Sequence, residues 1–421
     1  MAGMTERDAD VLILGGGVIG LACAHYLLQA GRSVRVLDRA RVGAATSHGN
    51  CGTITPSHAP PLAAPGMIAK GLKWMLRPDA PLYIQPRLDW PLADWLLHFA
   101  AHCNRRDWQR AAQAKSSLLE CSRRLLADLV AEQNLDCEFT TAGLRYVYRD
   151  AQTFDKACRE LPALAELGIA SSLLDAAALA TAEPALLPDM AGAIHFPNDA
   201  HLRPDRLLAE LARRVREQGG VIEEGVEVVG FTNVAGRIAS VQTDQGERRG
   251  HQVLAAFGPW SPILLRQLDL RLPIQPGKGY SITYSRPTPA PRVPIVLRER
   301  SVCITAWDSG FRLGSTMEFS GYDSSLNRTR LDALERAARD YLREPVGAEK
   351  REEWYGWRPM TWDDLPILGR APRHENLWLA TGHGMLGVSM SAVSGHLLAD
   401  LICGREPIID PAPSAPQRFN L

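Results

Sequence analysis

The chain has 421 residues, a length typical of two or three domains, and its 46% hydrophobic content is enough for a sizeable core. Lys plus Arg and Asp plus Glu each total 47, so the formal net charge at pH 7 is zero. This balance argues against binding nucleic acid through phosphate neutralisation. The spacing of the eight cysteines suggests neither a zinc site nor a disulfide framework. We therefore predict no metal site, no nucleic-acid partner and free thiols in a reducing compartment.

The N-terminal residues MAGMTERDAD are polar and carry acids, which does not fit a signal peptide. No run reaches the roughly 18 apolar residues of a spanning helix. These features predict a cytoplasmic protein. Residues 72–76 and 88–100 are rich in Trp and Leu. They are interpreted either as helices packed on a core or as an apolar surface that rests on the inner face of the cell membrane.

The first element is an apolar run, residues 11–14, that predicts a buried parallel strand and ends in glycines. Gly15, Gly17 and Gly20 fit the pattern G-x-G-x-x-G, and residues 21–30 predict the helix that follows. Such glycines allow a tight turn, let the backbone approach a diphosphate and let helix and strand pack closely. Asp38 ends the next predicted strand, where a carboxylate meets ribose hydroxyls. The unit predicts a dinucleotide site for NAD or FAD.

Further along the chain the pattern predicts a long irregular segment, of the kind that is often functional, and then an alternation of helices and strands. The irregular segment is residues 41–66. Helices are predicted at 88–134, 157–183, 204–218 and 327–344, and strands at 143–150, 221–231, 237–260 and through much of 272–319.

A second glycine-rich junction lies near the C-terminus. A short strand at residues 378–380 precedes Gly382, Gly384 and Gly387, and a helix is predicted from about residue 388 to 402. A helix N-terminus suits the N1–C2=O edge of a flavin, which becomes negative on reduction, whereas NAD does not need such a feature. Simple packing of small residues is the alternative.

Several segments together resemble the D-amino-acid dehydrogenase family, within the group that includes D-amino-acid oxidase, glycine oxidase and sarcosine oxidase. They are GGGVIG, ATSHGNCGTITP, LAAPGMIAKGLKWMLRPDAPLYI, PGKGYSITY, GWRPMTWDDLPILG and NLWLATGHGMLGVSM. The resemblance implies an α/β fold, with a Rossmann-like FAD-binding domain and a substrate domain built on a mixed, largely antiparallel β-sheet with helices. The FAD-binding domain would comprise residues 1–75, 202–265 and 352–421, and the substrate domain residues 76–201 and 266–351.

The resemblance also implies which residues hold FAD. FAD would be bound by the two glycine-rich turns, the carboxylate near the ribose, the loop past the flavin ring and the backbone near the adenine. These residues are Gly15, Gly17, Gly20, Asp38, Arg39, Thr46, Ser47, Asn50, Val226, Gly258, Gly384, Met385, Leu386 and Gly387.

Three residues are the candidates for catalysis. Arg358 matches the arginine that grips the substrate carboxylate in the related oxidases, a role that suits a guanidinium fork; a salt bridge with Asp363 or Asp364 is the alternative. Tyr280 is a candidate second contact to the substrate carboxylate or amine, or else a core or surface tyrosine. His48 is open between a covalent bond to the flavin, a polar substrate contact and a plain loop histidine.

The implied activity is oxidative deamination of a D-amino acid by hydride transfer from Cα to flavin N5, giving an imine and then a 2-keto acid. Electrons would pass to a quinone or another carrier, on a protein bound peripherally to the membrane. The alternative enzyme is a secondary-amine or D-hydroxyproline dehydrogenase or oxidase of the sarcosine and glycine oxidase type. A flavin-binding scaffold without turnover is the alternative from another class.

Overall fold

The computed structural model describes residues 8–75, 80–419 and 421. Residues 1–7 lie outside the described part, and they include most of the N-terminal segment MAGMTERDAD. Residue 76, the last of the apolar stretch 72–76, also lies outside it. Elements are numbered in chain order. The first sheet is built from β1 (Asp8–Leu14), β2 (Val34–Asp38), β9 (Val221–Glu224), β10 (Val228–Val234), β11 (Arg237–Thr243), β12 (Gly246–Ala255), β18 (Ile367–Arg370) and β19 (Leu377–Thr381).

The centre of the first sheet is a parallel β-α-β unit. β1 pairs in parallel with β12 on one side and with β2 on the other, and Leu12, Ile13 and Leu14 are fully buried. The helix that follows, α1 (Val18–Gln29), packs against α7 (Pro204–Glu217) and α10 (Ser391–Cys403). Ile13 packs with these helices on one face of β1, and Leu12 and Leu14 pack with residues of β10 and β11 on the other, so both faces of the strand are covered. The Rossmann-like unit expected from the sequence is therefore confirmed.

The second sheet follows the order β17-β13-β16-β15-β14-β5-β7-β6, with β4 beside β16. Its pairs are antiparallel except for β14 with β5 and β16 with β4, so it is the mixed, largely antiparallel sheet that was expected. Its strands are β4 (Leu82–Ile84), β5 (Leu144–Tyr148), β6 (Ser172–Asp175), β7 (Gly192–Phe196), β13 (Ile274–Tyr284), β14 (Ile295–Leu297), β15 (Val302–Trp307), β16 (Gly310–Phe319) and β17 (Lys350–Thr361). A short pair, β3 (Thr53–Ile54) and β8 (Ala200–His201), stands apart.

The remaining helices cover the sheets or flank the gap between them. They are α2 (Met67–Met75), α3 (Trp90–His102), α4 (Arg105–Glu132), α5 (Ala151–Glu166), α6 (Ala176–Ala182), α8 (Ser261–Leu264) and α9 (Arg328–Tyr341). Two details differ from the sequence prediction. The region 157–183 is interrupted by β6, which adds an edge strand beside β7, and α10 begins at Ser391 rather than near residue 388.

Each sheet gathers strands from separate parts of the chain. The strands of the first sheet come from residues 8–38, 221–255 and 367–381, and those of the second sheet mainly from 82–196 and 274–361. The sequence predicts a domain boundary between residues 351 and 352, and β17 runs across it. A single strand therefore links the last expected segment of the substrate domain to the last expected segment of the FAD-binding domain. This interleaving brings residues far apart in sequence to the gap between the sheets.

Candidate functional site

A cavity of about 1160 Å³ is lined by residues from both sheets and from the loops that connect them. Most of the residues singled out in the sequence share this one cavity. The two exceptions among those candidates are Gly20 and His48. Those that line it are Gly15, Gly17, Asp38, Arg39, Thr46, Ser47, Asn50, Val226, Gly258, Tyr280, Arg358, Gly384, Met385, Leu386 and Gly387.

The first glycine turn is sterically demanding. Gly15 has a φ of 115°, a backbone conformation that favours glycine. A Cβ on Gly20 would lie 1.9 Å from the Gly15 carbonyl oxygen, so Gly20 permits the close packing of α1 on the turn. At Gly17 the nearest atom to such a Cβ is Oγ of Ser47 at 3.7 Å, which leaves the backbone open to the cavity. The turn thus has the shape that a diphosphate requires.

Asp38 lies at the carboxyl end of β2, beside this turn. Its Oδ2 accepts a hydrogen bond from the amide of Gly16 at 2.8 Å, and burial raises the pKa of its carboxyl group. Its carbonyl accepts from the amide of Val226 at 2.9 Å. Nearby, the guanidinium of Arg39 lies 4.4 Å from the ring centre of Trp260, and all four side chains border the cavity. A carboxylate, a cation and apolar surface therefore meet at one end of the site.

The segment 46–52, which we call the flavin loop, is fastened to the second sheet and to the start of α1. Oγ1 of Thr46 donates to the carbonyl of Trp357 at 2.6 Å, and Oγ of Ser47 accepts from the amide of Val18 at 3.2 Å. The buried guanidinium of Arg312 donates through Nη1 to the carbonyls of His48 at 2.8 Å and Asn50 at 2.7 Å. A fully buried cation on β16 thus fixes the course of the loop.

The side chain of His48 is directed elsewhere. Its Nε2 lies 2.8 Å from Oε1 of Glu352, and His48 is absent from the described residues that line the cavity. Of the three interpretations left open, this geometry fits the plain hydrogen-bonded loop histidine. A pairing with the carboxylate of a distant strand gives no signal in the loop sequence.

The second glycine junction offers free backbone donors. Gly384 has a φ of 53°, and its amide donates to the carbonyl of Pro359 at 3.0 Å. Among the described residues, the amides of Met385, Gly387 and Val388 have no hydrogen-bond acceptor, although all three residues border the cavity. Unpaired amides before a helix suit a group that carries negative charge.

Arg358 lies on β17 and has no acidic partner within the described chain. Both acids of the alternative interpretation are paired elsewhere: Asp363 with Arg418 at 2.7 Å and Asp364 with Lys115 at 2.5 Å. Burial lowers the pKa of Arg358 to about 10. A half-buried, cavity-lining cation without a counter-ion is electrostatically unfavourable, so its arrangement suits the binding of an anion.

Two features of the neighbouring strands make room for this guanidinium. A Cβ on Gly279 would lie 2.3 Å from Nη2 of Arg358, so only glycine leaves the space. On β16, Ser315 and Thr316 have φ values of 125° and 64°, at a register shift against β13. This irregularity accompanies the hydrogen bond that Nη1 donates to the Thr316 carbonyl at 2.7 Å. Backbone strain of this kind concentrates at functional sites.

Tyr280 and two further polar side chains of β13 form their hydrogen bonds within the protein. Tyr280 lines the cavity, but its hydroxyl donates to Glu318 at 3.3 Å and its side chain is buried. Lys278 is fully buried, with Nζ bonded to the carbonyl of Ser325 at 2.5 Å. Tyr284 donates to Glu335 at 2.5 Å and lies outside the cavity wall.

Sequence reasoning missed two unsatisfied polar atoms in the cavity wall. Oγ1 of Thr316 and Nε1 of Trp357 are buried without a hydrogen-bond partner in the described structure. Buried polar atoms are normally paired, so each is available to a ligand. The bulge that positions Thr316 gives no signal in the sequence. Trp357 does have one, because it directly precedes the candidate Arg358 in the chain.

Apolar side chains of α2 and α3 form another part of the cavity wall. Ile68 and Leu72 both line the cavity and present 48% and 62% of their surface to solvent. Leu88, Trp90 and Leu97, which do not line it, are 102%, 83% and 71% exposed. Large apolar side chains are thus exposed on both helices that border this part of the site, as is typical of interaction surfaces. Among the described residues, no helix combines the length and the hydropathy of a membrane-spanning segment.

Residues 10–401 match the model of the family described as FAD dependent oxidoreductase. The chain belongs to this family. It is 39% identical over 413 residues to the D-amino acid dehydrogenase of Chromohalobacter salexigens, covering 96% of this chain and 97% of the relative. It is 38% identical to the enzyme of the same name from Methylobacterium nodulans, covering 95% and 96%.

Solved structures show the same fold at low sequence identity. Glycine oxidase from Geobacillus kaustophilus superposes with a TM-score of 0.78 at 23% identity, covering 98% of this chain and 99% of that one. L-proline dehydrogenase from P. horikoshii superposes with a TM-score of 0.75 at 17% identity, covering 97% and 98%. The protein is an FAD-dependent oxidoreductase, and the open glycine turns and the free amides of the cavity fit this cofactor.

Proposed function

We propose that this flavoenzyme oxidises the Cα–N bond of a D-amino acid and acts as a D-amino acid dehydrogenase. The observation that carries the proposal is Arg358, a half-buried guanidinium in the cavity wall without an acidic partner in the described chain. The names of the relatives support the substrate class. An amino acid supplies the carboxylate that this cation lacks.

The chain's own groups would orient the substrate. With one Nη1 hydrogen on the Thr316 carbonyl, the remaining N–H groups of Arg358 can bind a carboxylate bidentately. The unpaired hydroxyl of Thr316 lies on the same bulge and can accept a hydrogen bond from the amine. FAD, when bound, supplies the acceptor for the hydride that leaves Cα. The protein contributes the position of the substrate and a cavity wall that shields it from water.

We assign FAD to the first sheet and the substrate to the second. The glycine turn, Asp38 and Arg39 would hold the diphosphate and the adenosine, and the flavin loop with the unpaired amides of residues 385–388 would hold the ring. On this assignment the expected domain division would need one change, because residues 352–361 of the expected FAD-binding segment lie in β17 of the second sheet. β17 would then carry Arg358 from the substrate sheet to the flavin.

We place the electron acceptor, a quinone, on the side of α2 and α3. Exposed apolar residues there reach the cavity, and Lys70 and Lys73 lie on the same helix. Apolar side chains with flanking lysines are typical of a helix that lies on an anionic membrane surface. A lipid-soluble acceptor would approach the cofactor along this wall, from the inner face of the cell membrane.

Anaerobic bleaching of the flavin absorbance tests the proposal. Purified holoenzyme is mixed with D-amino acids, L-amino acids, D-hydroxyproline and sarcosine. Bleaching by D-amino acids but not by their L-enantiomers is expected, and slow recovery of colour in air would identify a dehydrogenase. Bleaching by secondary amines alone would replace the proposal with the alternative enzyme class, and no bleaching by any compound would refute catalysis at this site.

A further inference from the structure

Two thiols lie in the wall of the cavity. Cys51, on the flavin loop, and Cys303, on β15, both line it, and both are free cysteines. They are far apart in sequence, and the cavity gives a small reagent access to both. Their relative position follows from the register of the second sheet.

Gly314 leaves the space that brings the two sulfurs together. Cys303 and Gly314 are direct partners across the antiparallel strands β15 and β16. Such partners project their side chains on the same face, with Cβ atoms about 4.5–5.5 Å apart. A Cβ on Gly314 would lie 2.5 Å from Sγ of Cys51. The sulfur of Cys51 therefore occupies the side-chain position directly opposite Cys303.

Hydrogen bonding and charge distinguish the two thiols. Sγ of Cys51 donates to the carbonyl of Cys303 at 4.0 Å. Contact with the Cys303 thiol lowers the pKa of Cys51, and the guanidinium groups of Arg312 and Arg358 lower it further against the effect of burial. The same contact raises the pKa of Cys303. Thiolate character, and with it nucleophilicity toward oxidants, is concentrated on Cys51.

We propose that Cys51 and Cys303 form a redox modification site that closes to an intramolecular disulfide when hydrogen peroxide enters the cavity. The Cys51 thiolate attacks one peroxide oxygen and breaks the O–O bond. This gives a sulfenic acid, and the other oxygen leaves as hydroxide and is protonated to water. The Cys303 thiol then attacks the Cys51 sulfur, the S–S bond forms and a second water leaves. The two thiols lose two electrons and two protons, and the peroxide is reduced to two waters.

Closing the disulfide must move the flavin loop. An S–S bond of about 2.05 Å is far shorter than a contact between unbonded thiols. β15 is held by strands on both sides, whereas Cys51 lies in an irregular segment. Cys51 therefore moves toward β15 and displaces the loop beside Arg358. Displacement of groups around the substrate by about 1 Å can cost about 100-fold in rate, so oxidation acts as a reversible brake on the site.

Peptide mapping of the peroxide-treated holoenzyme without reduction tests the chemistry. We expect one cross-linked peptide that joins Cys51 to Cys303 and disappears on treatment with dithiothreitol. It should be absent from Cys51→Ser and from Cys303→Ser. It should persist in the control Cys403→Ser, which removes a partly exposed cysteine outside the cavity wall. Oxidation of Cys51 to sulfinic or sulfonic acid without the cross-link, or a different pairing, would overturn the proposal.

The ratio of treated to untreated activity tests the brake, and this part rests on the proposed function. We expect kcat/KM for a D-amino acid to fall by about 10- to 100-fold on oxidation, and to recover with dithiothreitol. In both serine variants the ratio should stay near one. A cross-link that leaves the ratio at one would refute the brake. Because the mapping needs no substrate, failure of the disulfide and failure of the proposed function are distinguishable.

Discussion

Replacing Arg358 with methionine removes the cation while keeping most of the volume of the side chain. In the resting protein this cation is an unfavourable feature, because burial lowers its pKa to about 10 and it has no acidic partner among the described residues. Its protein contact in this site is mainly the hydrogen bond to the Thr316 carbonyl at 2.7 Å. We therefore expect the melting temperature of Arg358→Met to equal or exceed that of the wild type, with activity lost.

The size of that loss follows from the contacts that remain free. One of the five guanidinium hydrogens is on Thr316, so a bidentate pair stays available for the substrate carboxylate. Removing one partner of a buried, hydrogen-bonded charge pair costs about 2–5 kcal/mol. At 1.36 kcal/mol for each factor of ten, kcat/KM should fall by about 30- to 5000-fold. Arg358→Lys keeps the charge but not the fork, and should recover only part of this loss.

The assay is anaerobic reduction of the bound flavin by a D-amino acid, followed in a stopped-flow instrument. The matched control is Arg298→Met, since Arg298 lines the same cavity but is exposed and lies 4.4 Å from the ring centre of Tyr146. The control should change kcat/KM by no more than about threefold, as expected for an exposed cation–π contact worth about 0.5 kcal/mol. A lower melting temperature for Arg358→Met with nearly normal kcat/KM would show that the arginine is structural.

Three further outcomes follow from the structure. Gly279→Ala should raise KM for the D-amino acid, because the added Cβ would lie 2.3 Å from a nitrogen of Arg358, the proposed substrate-binding group. The control is Gly71→Ala, whose Cβ would meet nothing closer than 3.9 Å, and equal KM values for the two variants would contradict the reasoning. Burial raises the pKa of Asp199 to about 7, so the folded protein holds a proton on this carboxyl group at pH values where the unfolded chain has lost it. The stability of the protein should therefore fall as pH rises from about 4 to 7. In Asp199→Asn the melting temperature should depend less on pH over this range. An unchanged pH dependence of the melting temperature would refute this role of Asp199. Finally, Trp90→Asp should weaken co-sedimentation with anionic vesicles and slow quinone reduction, but should leave flavin reduction by the substrate unchanged. The control Val234→Asp, at another exposed apolar residue, should leave vesicle binding intact. Equal effects of the two variants on vesicle binding would argue against a membrane-binding surface at α3.

The sequence by itself determined the parts of the protein that are built locally. Gly15, Gly17, Gly20 and Asp38 belong to one β-α-β unit, so their spacing predicts both the fold and the place of the dinucleotide. The glycine junction before α10 is readable for the same reason. The resemblance across the chain added the family and Arg358, and both the fold class and the family are confirmed.

Only the tertiary structure decided the relations between distant strands. Register across β13, β16 and β17 sets Gly279 and the Thr316 bulge around Arg358, and register across β15 and β16 places Cys51 opposite Cys303. The tertiary structure also places the side chain of His48 against the carboxylate of Glu352 on β17, away from the cavity. Local patterns carry the period of a strand but not the partner or the offset with which it pairs, because a shift of one residue exchanges the two faces of a sheet.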